Sequence, residues 1–418
     1  MTFFVEPPRP FRYSNCSGTP SPSRGASPEN LMATPGTAPI QVKLDGAPGS
    51  SPEGTHALLA AMLRANNQVS DLIFSPGRPP QVEIHGQLIS VDVAGMRTLT
   101  ADDTRRIASD LIGNNKQAIT ILREQGSCDI SFGLPGAARF RVNVFIQRGS
   151  CAVVMRVIPT MIPTFASLNL PPQLGEIANL RDGIVLLTGA RGSGKSSSLA
   201  ALLDKINHQQ TCHIITIEDP IEFLHNHKRA TIHQRELHSD TPSFALALRA
   251  ALRQAAKVIF VGELRDRETM EVVLDAAETG HLILSSLNSP DVVKTIDRIV
   301  SAFPAAEQNA IRGRLAKTLR YVISQQLIPR SDGGRAPVVE IFIGNPHTAE
   351  YIECDDRSGQ SLLEAVKSGN ADGMQHFDGE LKKLVLSGAA NLETALSYAR
   401  DPQALQRELQ SYSPRGPR

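Results

Sequence analysis

The chain has 418 residues, too many for one compact core, and 41% of them are apolar, enough to fill two or three domains. Its 43 basic and 42 acidic residues leave a formal charge of +1, which excludes a global field that recruits nucleic acid or an anionic membrane. Cys16, Cys128, Cys151, Cys212 and Cys354 form no CxxC pair, so neither a disulfide framework nor a zinc ribbon is expected and the thiols should be reduced.

Residues 1 to 54 carry ten prolines among serine and glycine, a mixture that buries too little apolar surface to offset chain entropy and reads as a disordered arm. The opening "MTFFVEPPRP" lacks the basic start and apolar core of a signal peptide. No apolar run reaches the roughly 18 residues of a membrane span. A cytoplasmic protein is expected.

From residue 55 the pattern becomes a helix, "HALLAAMLRAN", then alternating strands in "DLIFS", "PQVEIHG" and "QLISVDV", then the helix "ADDTRRIASDLI". Strands return in "CDISFGL", "ARFRVNVFIQR" and "CAVVMRVIP". This order predicts an α+β domain over 55–158. The proline-rich "PTMIPTFASLNLPP" supplies a linker over 159–172.

The next segment, 173–345, holds four apolar strands, "GIVLLT", "CHIITIE", "AKVIFVGE" and "GHLILSSL", separated by helical stretches. That alternation predicts an α/β domain with a parallel sheet covered on both faces. Residues 346–418 read as helical: "DGELKKLVLSG" stops at Gly388, and "DPQALQREL" begins with Asp401 as N-cap and Pro402 at the first helical position.

The first apolar strand runs into "GARGSGKSS", residues 189 to 197, which has the GxxxxGK[ST] spacing. A helix follows, so the backbone N–H groups of Gly189, Ala190, Arg191, Gly192, Ser193, Gly194, Lys195, Ser196 and Ser197 are candidates to cradle phosphates where the helix dipole favours negative charge. In that geometry Lys195 reaches the β and γ phosphates and the Ser196 hydroxyl ligates Mg²⁺. Hydrolysis also needs a carboxylate at the end of a neighbouring strand. "VIFVGELRD" offers Glu263, and "IITIEDPIE" offers Glu218, Asp219 and Glu222. Acids at strand ends also serve as helix caps or solvated loop residues, but two such segments beside one P-loop point to chemistry.

These segments together resemble the hexameric secretion ATPases of type IV pili and type II secretion, and within them the pilus retraction (PilT-like) branch. The resemblance spans residues 57 to 410, with an Asp box in "TIEDPIEF", a Walker B in "VIFVGELRDRET" and a His-box region in "AAETGHLILSSLNS". It implies a PAS-like first domain and a RecA-like ATPase domain with a helical C-terminal part, in a homo-hexamer that binds ATP and Mg²⁺. Partners implied are an inner-membrane pilus platform protein and another pilus ATPase, with the ring peripheral at the inner membrane. By the same resemblance Glu263 holds or activates the attacking water, and Glu218 assists with Mg²⁺ and that water. His281 stands at the first His-box position, and Arg141 and Arg156 are candidates to reach a γ-phosphate, supplied in trans by a neighbouring subunit. Arg139 and Arg141 alternate along one strand, so a solvated face is the other reading of that pair.

Three departures stand out. Asn288 occupies the second His-box position, Ala255 and Ala256 replace an acidic turn before Walker B, and "GNPHTAEYIECDD" replaces the "AIRNLIRE" motif associated with retraction. The four-Cys zinc element common in assembly-type relatives has no counterpart, which favours retraction. The leading expectation is an ATP-driven pilus motor. A weakly active regulatory paralogue is the alternative, and a small-molecule P-loop kinase leaves the first domain and both acidic boxes without a role.

Overall fold

The computed structural model describes residues 40–42, 52–66, 68–93, 98–159, 161–354 and 360–411. Most of the expected arm, residues 1–39 and 43–51, lies outside the described residues, as do 412–418 at the end of the helical region. The arm's Ile40–Val42 is strand β1, because its backbone pairs with the free edge of a later strand at Val91 to Val93.

The first sheet is built from short elements with alternating burial. After β1 come helix α1 (Pro52–Arg64) and strands β2 (Val69–Phe74), β3 (Gln81–Ile84) and β4 (Gln87–Val93). Helix α2 (Ala101–Ile112) starts at a capping box, Thr100 accepting from the Asp103 amide while Asp103 accepts from Thr100. Helix α3 (Lys116–Gln125) follows, capped by Asn115; at ten residues it is too short for its faint apolar stripe to stand out in the sequence. Strands β5 (Ser127–Leu134), β6 (Ala138–Gln147) and β7 (Ser150–Ile158) complete a sheet of order β1-β4-β3-β2-β7-β6-β5. Phe140, Val142 and Val144 of β6 enter its core with Leu72, Phe74 and Met155. The pleat therefore sends Arg139, Arg141 and Asn143 to the other face.

The second sheet begins with β8 (Gly183–Thr188), followed by α4 (Lys195–Gln209), β9 (His213–Glu218), β10 (Thr231–Glu236), α5 (Phe244–Ala251), β11 (Val258–Val261), α6 (Arg267–Glu278) and β12 (Leu282–Leu287). Helices α7 (Val292–Ser301) and α8 (Gln308–Thr318) lead into the hairpin of β13 (Leu319–Pro329) and β14 (Arg335–Ile343). The order is β10-β9-β11-β12-β8-β13-β14, parallel except for β14. β8 and β12 are buried at every position, as a parallel strand covered on both faces must be. β10, "TIHQRE", is too polar to show as a buried strand in the sequence: it is an edge strand with one paired side.

Helices α9 (Pro346–Glu353), α10 (Gln360–Ser368), α11 (Phe377–Leu386), α12 (Leu392–Tyr398) and α13 (Pro402–Ser411) close the chain. Gly388 takes φ 74° after α11, and the Asp401 carboxylate caps α13 through the Ala404 amide at 2.9 Å. A separate apolar cluster around Ile328, Val338, Phe377 and Leu381 fixes them to the β13–β14 hairpin.

Candidate active site

In a parallel sheet the strand C-termini share one edge, and ligands bind there. The P-loop after β8, Glu218 at the end of β9, Glu263 just beyond β11 and Asn288 just beyond β12 all reach that edge. They line a cleft of about 740 Å³ together with Glu222, Arg265, Gln325 and Arg141.

The P-loop glycines are required by geometry. Gly189 has φ 142°, and a Cβ there would lie 2.3 Å from the Gln325 carbonyl and 2.6 Å from Ser193 Oγ. Gly194 has φ 88°, and its Cβ would meet Gln325 Nε2 at 2.7 Å. Gln325 is the residue that backs the loop: its amide donates to Ser193 O at 2.7 Å and accepts from Ser198 Oγ at 2.8 Å. Arg191, Gly192, Ser196 and Ser197 line the cleft, while Ala190 is exposed on the loop's outer turn.

Lys195 directs its ammonium to Gly189 O at 2.8 Å, Ala190 O at 2.9 Å and Asn288 Oδ1 at 3.0 Å. Burial holds its pKa below the ordinary lysine value, and the nearby Glu263 and Glu222 partly offset that. The Asn288 amide has its other end on Glu263, donating from Nδ2 to Oε1. Its orientation is settled by the partners, since the reverse would set an NH₂ against an ammonium. The second Glu263 oxygen accepts from Arg265 Nε at 2.8 Å, and Arg265 Nη1 also reaches Asp219 Oδ2 at 2.8 Å. Lys195, Asn288, Glu263, Arg265 and Asp219 are thus one polar chain across the strand ends. Asp266, three residues beyond Glu263, is a helix cap, its carboxylate accepting the Thr269 amide at 2.8 Å.

Glu218 is buried, and its Oε1 accepts from Thr216 Oγ1 at 2.6 Å and Gln234 Nε2 at 3.0 Å. Desolvation outweighs those bonds and pushes its pKa up to about 7. The folded state therefore binds the proton more tightly than the unfolded chain, whose carboxyl titrates near 4.5. The sign follows: Glu218 costs nothing below about pH 4.5 and destabilises progressively as pH rises from there to about 7, by about 1.4 kcal/mol for each pH unit crossed. In magnesium-free, nucleotide-free buffer, Glu218→Gln should raise the melting temperature at about pH 8 and leave it unchanged at about pH 4.5. An equal change at both pH values would remove the protonation account.

The structure separates the remaining candidates. Arg141 faces the cleft and has no ion pair among the described residues. Arg141 lines the cleft of its own chain, and its donation to a neighbouring subunit in trans remains what the resemblance implies. Arg156, opposite Arg141 across β6 and β7, pairs with the buried Asp71 at 2.9 Å and does not line the cleft. His281 precedes β12, at the edge opposite Asn288 and roughly 20 Å away at strand rise. Its Nδ1 hydrogen-bonds Ala276 O at 3.0 Å, so the sheet direction keeps it from this cleft. Among the described residues no three His, Cys, Asp or Glu side chains could enclose a metal by themselves. Mg²⁺ commonly uses one or two carboxylates and the substrate phosphates, and Ser196, Glu263 and Glu218 all line the cleft.

Residues 106–369, more than half of the chain, match the family model described as type II/IV secretion system protein. The chain belongs to that family. The chain is 40% identical to the type IV pilus retraction ATPase PilT of Pseudomonas aeruginosa over 81% of its own length and 96% of the relative's. It is 39% identical to a twitching motility protein of Neisseria gonorrhoeae, over 78% and 86% of the two chains. The crystal structure of the pilus retraction motor PilT with bound ADP superposes with a TM-score of 0.73 at 40% identity, covering 81% of this chain and 95% of that one.

Proposed function

We propose that this chain is an ATP-hydrolysing motor of a type IV pilus system that works as a hexamer and drives retraction. The observation that carries the reading is the polar chain at the strand ends, where a P-loop lysine, an asparagine and a strand-end glutamate meet in one cleft with an arginine of the first domain. A P-loop kinase reading leaves that arginine and both acidic segments without work.

In this reading the loop amides and Lys195 bind the β and γ phosphates, leaving the carbonyls of Gly189 and Ala190 to water. Mg²⁺, held by Ser196 with Glu263 and Glu218, neutralises charge on the phosphates when bound. Glu263, held by Arg265 and aimed by Asn288, orients the attacking water. Arg141 meets the charge that develops on the transferring phosphoryl group. Domain movement over the cleft then couples hydrolysis to a pilus platform protein at the inner membrane, where the ring is peripheral. No helix of the described residues is long and apolar enough to cross a membrane. Steady-state ATP turnover, with mass measured in solution, tests the whole: a monomer without turnover at any concentration sinks it.

A second reading, a slow motor assisting another pilus ATPase, is favoured by Asn288. An amide bridges Lys195 and Glu263 at every pH, whereas a histidine there changes charge near neutrality. Asn288→His should raise turnover more than a few-fold, and a tenfold rise equals about 1.4 kcal/mol of barrier. Rates of both proteins at about pH 6 and pH 8, either side of the ordinary histidine pKa, decide it. Brisk wild-type turnover, or no gain at either pH, leaves an ordinary motor.

A further inference from the structure

Arg139 and Arg141 lie on the same face of β6, two residues and about 6.6 Å apart at strand rise. Arg141 overhangs the cleft, and Arg139 does not line it. Arg139 instead crosses to the second sheet, where its Nη2 donates to Glu236 Oε2 at 2.9 Å. Glu236 is the last residue of β10, buried, and stands in register beside Glu218 of β9. The same Oε2 accepts the backbone N–H of Ile221 at 3.1 Å, in the turn between Glu218 and Glu222. One carboxylate oxygen therefore ties the first domain to the turn that carries the acidic box.

The ion pair is a poor source of stability. Arg139 Nε is buried with no hydrogen-bond partner, and burying charge generally offsets the attraction gained. What the pair contributes is position: it tethers β6 to the end of β10 beside the cleft.

We propose that Arg139 is a positioning residue, which through Glu236 sets Arg141 over the nucleotide cleft and couples the first domain to the turn after Glu218. This rests on the ATPase reading above. A displacement of about 1 Å at a reacting centre costs on the order of 100-fold in rate, so Arg139→Gln should lower kcat by about 10- to 100-fold while KM for ATP stays within about twofold. Because only Nη2 makes the contact, Arg139→Lys should recover most of the rate.

The test is a double-mutant cycle on the full chain, with kcat and KM for Mg-ATP measured for Arg139→Gln, Arg141→Ala and the pair. If Arg139 acts through Arg141, its substitution changes kcat by less than about twofold once Arg141 is alanine. Equal losses in both backgrounds overturn the proposal and make Arg139 a structural ion pair. Glu236→Ala approaches from the other domain and removes the oxygen that Arg139 and Ile221 share; it should reproduce at least the loss seen in Arg139→Gln, and wild-type turnover in it overturns the proposal even if Arg139→Gln folds poorly. An Arg141→Ala protein with full turnover is a different failure: it sinks the assignment of Arg141 itself, and this proposal with it.

Discussion

Replacing Lys195 with alanine is expected to abolish ATP turnover, lowering kcat/KM by about 1,000-fold or more, since removal of a single preorganised donor from a charged transition state typically costs 100- to 1,000-fold. Lys195 is the P-loop's own side-chain cation, and it is half-buried, so its charge acts where water screens it poorly. Arg191 also lines the cleft but is exposed, so water screens its charge more than that of Lys195. The fold should survive, because the groups left behind are only two loop carbonyls, Gly189 O and Ala190 O, and the Asn288 amide, with Ala190 exposed and Asn288 half-buried. ATP affinity by calorimetry, turnover, and melting temperature should be measured together. Unchanged affinity and turnover in a folded variant would remove the phosphate cradle from this loop.

Glu263→Gln is expected to separate binding from chemistry. The amide preserves the side-chain shape and an Oε1 for the Asn288 donor, but it loses the negative charge that pairs with Arg265 and polarises water. General-base contributions are about 100- to 10,000-fold, so kcat should fall by that order with ATP affinity within a few-fold. Arg265, released from Glu263, keeps Asp219 at 2.8 Å, so the neighbouring loop has a reason to stay in place. Undiminished turnover would make Glu263 a structural partner of Arg265 and move the search for the water-orienting carboxylate to Glu218 or Glu222.

Much of the site was legible because its parts are contiguous in sequence or sit at a fixed place in an element. The P-loop is eight residues whose spacing is dictated by one turn and one helix start, so Gly189 to Ser196 could be read without a fold. Glu218 and Glu263 follow apolar runs, and a parallel sheet collects strand ends at one edge, so their convergence followed from the pattern. The alternation of "ARFRVNVFIQR" put Arg139 and Arg141 on one face but not what that face meets.

The tertiary structure decided everything that depends on which distant residues share an oxygen. Asn288 meets Lys195 from 93 positions away, Gln325 backs the P-loop from 132, and Arg139 finds Glu236 across 97. No periodicity encodes such pairs: the first two arise from the strand order of the second sheet, and the third from the first sheet set against it. The same holds for the candidates that do not line this cleft. His281 and Asn288 bracket one strand, and strand direction alone sends the histidine to the far edge. Arg156 and Arg141 are cross-strand neighbours, yet Asp71 on β2 claims one and leaves the other facing the nucleotide cleft. Local spacing determined the phosphate loop and the strand-end acids, because one turn or one strand suffices to place them; which first-domain arginine faces the cleft was settled only by the packing of the first domain onto the second.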